Sequence, residues 1–367
     1  MKQFVCAICL LATLTVFAGK IKFIDLSWHC PDVGFLEQYL EEIEETTPLD
    51  GLTIAFEGTH ITVDGEEYIP KFWNAWANVP WKYEYFEDFV ERMNKLKFRK
   101  CKDNFLYLTT NEAKFDWFSD KDWKIITANF GIAAKLAKKA GLKGFLFDLE
   151  EYGMRMWPYD ARKAGRPIEE ALQTAFARGQ QWGKAVFKEF PNIIIFMPFA
   201  FSIDRSQKGL AGAFLNGILD VMPSSALMYE GDESFSYRAS NPQNFAALRT
   251  NLEGYISKLV YTPYRKKAEK QMKLSPGFYI DAYFYLPPDN HWVKCLQPEL
   301  DAAKNRVAFF CDNLKSAMEV ADEYVWFYSE YRCWWKHSTN PKYNDIWDDA
   351  PDAKGLTEAI RVAQKEF

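Results

Sequence analysis

Residues 143–153 read K-G-F-L-F-D-L-E-E-Y-G, an apolar run that ends in three carboxylates, Asp148, Glu150 and Glu151. Charged side chains are almost never fully buried unless paired, so such a strand end meets solvent, a partner or a substrate. Side chains alternate along a strand, so Asp148, Glu150 and Tyr152 share one side, and Phe147, Leu149 and Glu151 the other. The apolar set Phe145, Phe147 and Leu149 suits a helix-covered face. Asp148 and Glu150 are then left roughly 6–7 Å apart along the strand. Carboxylates this close push each other's pKa values apart and keep one protonated near neutral pH. A protonated Glu beside a second carboxylate is what acid catalysis on a glycosidic oxygen requires. Taken alone, a D-x-E more often caps a helix, pairs with a base such as Lys143 or Arg155, or holds a structural cation. The surrounding elements decide between these readings.

Eight apolar, β-branched or aromatic runs recur, bounded by Gly, Pro or Asn. They are Lys22–Trp28, Leu49–Phe56, Asn104–Thr109, Gly144–Tyr152, Asn192–Phe199, Ala226–Glu230, Gly277–Tyr285 and Tyr324–Glu330. Stretches of helical periodicity separate them: Phe35–Ile43, Tyr85–Leu96, Trp123–Ala140, Ile168–Phe190, Ala213–Val221, Phe245–Lys270 and Leu300–Val320, with Leu356–Lys365 closing the chain. Strand and helix alternating eight times, with near-continuous apolar strands, predict a parallel sheet covered by helices. The length favours a closed (β/α)8 TIM barrel over an open doubly wound sheet. No G-x-G-x-x-G or P-loop pattern follows a strand, so no nucleotide cofactor is expected.

In such barrels the chemistry sits at the carboxyl ends of the strands, and those ends are acidic and aromatic. The sixth run ends Y-E-G-D-E, bringing Tyr229, Glu230, Asp232 and Glu233. The seventh carries Asp281 among Tyr279, Tyr283 and Tyr285, and the eighth brings Trp326, Tyr328 and Glu330. Asp25 and Trp28 belong to the first run, and the loop after the second holds Trp73, Trp76 and Trp81. Glu230 and Asp281 join Asp148 and Glu150 as candidate catalytic carboxylates. Tyr152, Tyr229, Trp326, Tyr328, Glu330, Trp28, Trp73 and Trp76 are candidate substrate contacts. For each a structural reading competes: an ion pair for Glu230 and Asp281, an Arg332 partner for Glu330, loop packing for the tryptophans.

Composition agrees with a wet, concave binding surface. Aromatic residues make up 17% of the chain, with 13 Trp, more than core packing needs, and Trp and Tyr join an apolar face to a polar handle. The net charge of −5 and the lack of a basic tract argue against nucleic acid as partner. Only four His, spread far apart, and no CxxC beyond residue 19 argue against a zinc site; no metal is expected. The opening M-K-Q-F-V-C-A-I-C-L-L-A-T-L-T-V-F-A-G predicts a secretory signal peptide over 1–19. Export to a secreted or periplasmic location follows, with residues 20–367 as one barrel domain and no membrane span after cleavage. Five cysteines then remain, allowing at most two disulfides.

These residues resemble the chitinase-type glycoside hydrolases of family 18, whose fourth strand carries D-G-x-D-x-D-x-E. Gly144, Asp148 and Glu150 match that pattern, while Lys143 and Leu146 depart from it. Met228-Tyr229-Glu230 is similar to the family's Tyr-Asp at the end of strand six, with Glu for Asp, and Trp326 to its strand-eight Trp. The resemblance implies Glu150 as general acid/base and Asp148 as the group steering a substrate 2-acetamido nucleophile. The missing aspartates leave a second route open, in which Glu230, Asp281 or Glu330 serves as nucleophile or base facing Glu150. The expectation is an exported glycosidase acting on a polysaccharide or glycoprotein glycan. A carbohydrate-binding barrel without catalysis and a metal-assisted hydrolase with Asp/Glu ligands are its rivals.

Overall fold

The computed structural model describes residues 20–204, 209–337 and 346–367; the expected signal peptide over 1–19 lies outside them. The strands in chain order are β1 Lys22–Ser27, β2 Gly51–Ile54, β3 Ile61–Val63, β4 Glu66–Tyr68, β5 Phe105–Leu108, β6 Gly144–Phe147, β7 Ile194–Met197, β8 Leu227–Glu230, β9 Met272–Leu274, β10 Gly277–Tyr279 and β11 Tyr324–Ser329. Nine of them form one sheet in the order β10-β11-β1-β2-β5-β6-β7-β8-β9, and every neighbouring pair is parallel. The fold is therefore α/β, with helices covering a curled parallel sheet.

The curl is visible in the interior. Phe105 on β5 lies 5.7 Å ring to ring from Tyr324 on β11, although β1 and β2 stand between those strands in the sheet. Phe196 and Tyr229, stacked at 5.7 Å, complete this aromatic layer. A closed ladder of eight strands, as the sequence predicts, is not what forms. The ladder breaks at Ser275-Pro276, just ahead of the seventh run, between β9, paired with β8, and β10, paired with β11. Proline has no N–H to give a ladder, and the break leaves β9 and β10 as the two edges of the sheet. Single hydrogen bonds bridge the break: the Ser275 amide reaches the Glu230 carbonyl at 3.0 Å, and the Trp326 amide reaches the Pro276 carbonyl at 3.1 Å.

Two further differences have local causes. The seventh run does not continue as a strand to Tyr285; Ile280–Phe284 is a short helix. The loop after β2 holds the β3–β4 hairpin, turned by Asp64-Gly65 with φ of 52° and 86°, the Asp-Gly signature of a two-residue hairpin loop. None of the five described cysteines, Cys30, Cys101, Cys295, Cys311 and Cys333, is in a disulfide. Among the described residues no helix is long and apolar enough to cross a membrane.

Strand β6 is positioned from both sides. A Cβ on Gly144 would stand 1.9 Å from the Ile194 carbonyl oxygen, so only glycine lets β6 start this close to β7. Phe147 stacks on Trp182 of the covering helix Ile168–Glu189 at 5.2 Å. With Phe145 and Phe147 turned to the helices, Leu146 and Asp148 turn to the interior, as the alternation predicts.

Candidate active site

Beyond β6 the backbone stays with its neighbour for one more residue, the Asp148 amide donating to the Leu108 carbonyl at 2.9 Å. Asp148 is buried, and one carboxylate oxygen accepts the Glu150 amide at 2.9 Å. The Tyr152 hydroxyl lies 2.9 Å from the other Asp148 oxygen and 2.8 Å from Glu150 Oε2. A hydroxyl has one proton to give. It can satisfy both carboxyls only when one of them carries a proton and donates it to the Tyr152 oxygen. Burial, with the Glu150 charge as a smaller contribution, pushes the Asp148 carboxyl up to about 7. Glu150 itself is exposed. Glu151 turns away and accepts the Met156 and Trp157 amides at 2.5 and 2.8 Å, pinning the following turn.

An aromatic rim faces this carboxyl pair. Trp28 (45% exposed) and Tyr152 (41%) meet edge to face at 5.9 Å. The Trp28 indole N–H donates to the Tyr328 hydroxyl, which donates to Glu330 at 2.7 Å. The Tyr279 hydroxyl reaches the other Glu330 oxygen at 2.8 Å. Trp28, Tyr152, Tyr328, Glu330, Asp148 and Glu150 thus come together at the carboxyl end of the sheet. A cleft of about 820 Å3 opens beside Glu150, walled by Arg155, Trp157, Tyr159, Phe199 and Phe235. A second, inner pocket of about 30 Å3 is lined by Trp28, Asp148, Glu150, Tyr152, Tyr328 and Glu233.

Other candidates lie elsewhere, each for a physical reason. Glu230 is fully buried, and its carboxylate accepts the Ala200, Ser202 and Asp232 amides and the Ser202 hydroxyl at 2.8–3.1 Å. It ties the turn after β8 to the turn after β7. Burial, then the Asp232 charge, raises it to about 7. Asp281 is not on a strand; it is buried in the short helix and accepts the Glu330 and Tyr331 amides at 2.7 and 3.3 Å. Burial raises it too to about 7. Its work is to position Glu330.

Tyr229 is in the aromatic layer, its hydroxyl 2.9 Å from Glu323 at the amino end of the strands, away from the mouth. Trp326 is wholly buried, its indole N–H on the Ser275 carbonyl at 2.9 Å, beside the break in the sheet. Trp76 is wholly buried under the helices, between Phe115, Phe130 and Phe147. Trp73 is half-buried, with the Lys71 ammonium 4.0 Å over its ring and its N–H on Glu112 at 3.0 Å. Asp25 is a buried carboxylate bonded by the Ser27 hydroxyl at 2.7 Å.

The residue that the strand-end reading passes over is Glu233. It follows β8 by three positions, in the acidic run that drew attention to Glu230, but the two face different surroundings. Sequence alone does not reveal which of Glu230, Asp232 and Glu233 is left without donors. Asp232 is fixed by the Asn251 amide and the Tyr255 hydroxyl at 3.0 and 2.8 Å. Among the described residues none donates a hydrogen bond to the Glu233 side chain, which lines the inner pocket and is raised well above the usual carboxylate range by burial and then by the Asp148, Glu150 and Glu330 charges.

No family model and no curated protein matches the chain. Similar solved structures include a glucosidase from Croceicoccus marinus at 9% identity and TM-score 0.38, covering 78% of this chain and 53% of that one. The catalytic domain of a hyperthermophilic chitinase from Pyrococcus furiosus has 11% identity and TM-score 0.41, covering 94% and 98%. Catalytic-site mutants of active domain 2 of the thermostable P. furiosus chitinase, complexed with chito-oligosaccharides, reach 11% and 0.43 over 95% and 98%. The chain spans about half the length of that glucosidase. At TM-scores this low, the likenesses carry no part of the functional argument.

Proposed function

We propose that the protein is an exported hydrolase of glycosidic bonds, working by carboxylate acid/base catalysis centred on Glu150. The observation that carries this reading is the Asp148–Tyr152–Glu150 chain of hydrogen bonds at the edge of an 820 Å3 cleft. Glu150 reaches the substrate cleft and gives a proton to the glycosidic oxygen. Asp148, raised to about 7, holds a proton at neutral pH that Tyr152 can relay to Glu150. Trp28, Tyr328 and the cleft aromatics offer faces on which sugar rings stack. The position of Asp148 and Glu150 beyond the carboxyl end of β6, the end at which (β/α)8 enzymes carry their active sites, supports this reading. The resemblance of Gly144, Asp148 and Glu150 to the family 18 motif makes N-acetylhexosamine glycans the first substrates to try. Export rests on the pattern of residues 1–19.

The test is hydrolysis of a broad panel of reducing-end-labelled glycans by the wild-type protein and by Glu150→Gln. Gln keeps the size and removes the proton, so the rate should drop by roughly 10²–10⁴ with the circular dichroism unchanged. A variant as fast as wild type would overturn Glu150 as the acid. Saturable glycan binding without turnover by the wild type would identify a carbohydrate-binding protein instead.

A further inference from the structure

The two cavities at the mouth differ in what they can hold, and they share Glu150. The outer cleft has room for sugar rings. The inner pocket, at about 30 Å3, has room for little more than a water molecule. Three carboxyl groups line it, Asp148, Glu150 and Glu233, and no Lys or Arg does. Asp148 has both oxygens engaged and Glu150 accepts the Tyr152 hydroxyl. Among the described residues, Glu233 alone of the three has no hydrogen-bonded donor to its side chain, although the turn carrying it is tied down at each neighbouring residue. The Gly231 amide is bonded to the Met197 carbonyl, the Asp232 side chain to Asn251 and Tyr255, and the Glu233 amide to the Pro198 carbonyl. Asp232 takes a φ of 41° to make that turn, in the left-handed region that Asp enters more readily than most side chains. The framework around Glu230 and Asp232 thus presents one unpartnered carboxylate to a water-sized pocket beside the acid.

We propose that Glu233 is the general base of the reaction, holding the attacking water in the inner pocket while Glu150 protonates the leaving group from the cleft. The inference rests on the glycosidase reading above. In the step, the Glu150 carboxyl gives its proton to the glycosidic oxygen as the bond from the anomeric carbon to that oxygen breaks, and the bonding pair leaves with the oxygen. The water oxygen bonds to the anomeric carbon, and the water proton passes to the Glu233 carboxylate. Glu150 ends ionised and Glu233 protonated, so the pair's total charge is unchanged, and solvent returns the proton. A single displacement of this kind inverts the anomeric centre. Burial, then the charges that Asp148, Glu150 and Glu330 carry when ionised, raises the Glu233 carboxyl, and Tyr107, Tyr152, Tyr237 and Tyr328 add only neutral hydroxyls. The acidic limb of the rate–pH profile therefore lies above the ordinary carboxylate range.

The test uses aryl α- and β-glycosides of hexoses and N-acetylhexosamines, with proton NMR of the first-formed product. The expected result is inversion, a loss of roughly 10²–10⁴ in Glu233→Gln for good and poor leaving groups alike, and recovery of Glu233→Ala by added azide. Azide needs no base and should yield the glycosyl azide of inverted configuration. Retention, a Glu233→Gln enzyme as fast as wild type, or a slow Glu233→Ala that azide does not rescue would overturn the base role alone. No turnover of any glycoside or glycan by the wild type would overturn the glycosidase reading, and this inference with it.

Discussion

The two ends of the parallel sheet are built from the same residue types and treat them in opposite ways. At the amino end, Asp103 and Glu323 meet Lys22 at 2.9 and 2.8 Å, and Lys143 stands 3.7 Å from Asp103. The Tyr324 and Tyr229 hydroxyls close the network at 2.9 Å on Asp103 and Glu323. Burial works to lower the Lys22 pKa, but its hydrogen bonds to Glu323 and Asp103 win and raise it. At the carboxyl end, Asp148, Glu150, Glu233 and Glu330 face one another with tyrosines between them and no lysine or arginine in the inner pocket. Carboxylates that a cation neutralises hold the fold. Where no cation is at hand, burial and neighbouring carboxylates hold Asp148 and Glu233 above the usual carboxylate range, as groups that handle protons in a reaction are held.

The sharpest way to break this comparison is the Glu150→Gln loss of roughly 10²–10⁴ in rate described above. Next comes Glu230, whose position near the mouth is deceptive. Glu230→Ala removes the acceptor of three amides and a hydroxyl, and it should lower stability by about 2–4 kcal/mol, read as a fall in the urea midpoint. If that variant unfolds at the wild-type midpoint, the framework role is wrong. Tyr152→Phe breaks the link between Asp148 and Glu150 and should cost roughly tenfold in rate, with the rate–pH profile displaced and the melting temperature kept. An unmoved profile would remove Tyr152 from the proton path. Lys22→Met, at the opposite end, should lower stability by about 1–2 kcal/mol and leave the rate per folded molecule unchanged.

A further effect follows from pH. The Asp148 carboxyl sits at about 7 when folded and near 4 when unfolded, so the folded state holds this proton more tightly. The stability it contributes is fully present below about pH 4 and is lost as pH rises to about 7. Melting temperatures from pH 4 to 7 should therefore decline less steeply in Asp148→Asn than in wild type. An identical slope would place Asp148 in a more solvated site than the structure gives it.

Much of the mouth was legible because its residues follow strand periodicity. Asp148, Glu150 and Tyr152 share a face by simple alternation, and Trp28, Tyr328 and Glu330 stand at strand ends. What the sequence could not show is which carboxylate finds donors. Glu230 and Glu233 are three residues apart in one acidic run, yet the Ala200 and Ser202 groups that satisfy Glu230 come from the turn after another strand. The aromatic run Gly277–Tyr285 predicts a strand through Asp281, but a helix begins at Ile280. Tyr229 has strand periodicity and still points to the wrong end, since alternation fixes a face of the sheet and not a height within it. The sheet breaks where Pro276 interrupts the ladder, and that proline stands one residue outside the run read as the seventh strand.

The most direct test of the contrast between the ends is to measure hydrolysis rate and melting temperature together on Glu150→Gln and Lys22→Met. The account predicts an inactive Glu150→Gln with the wild-type melting temperature, and a Lys22→Met that melts earlier but turns over at the wild-type rate. An active Glu150→Gln, or a Lys22→Met that loses activity while keeping its melting temperature, would contradict it.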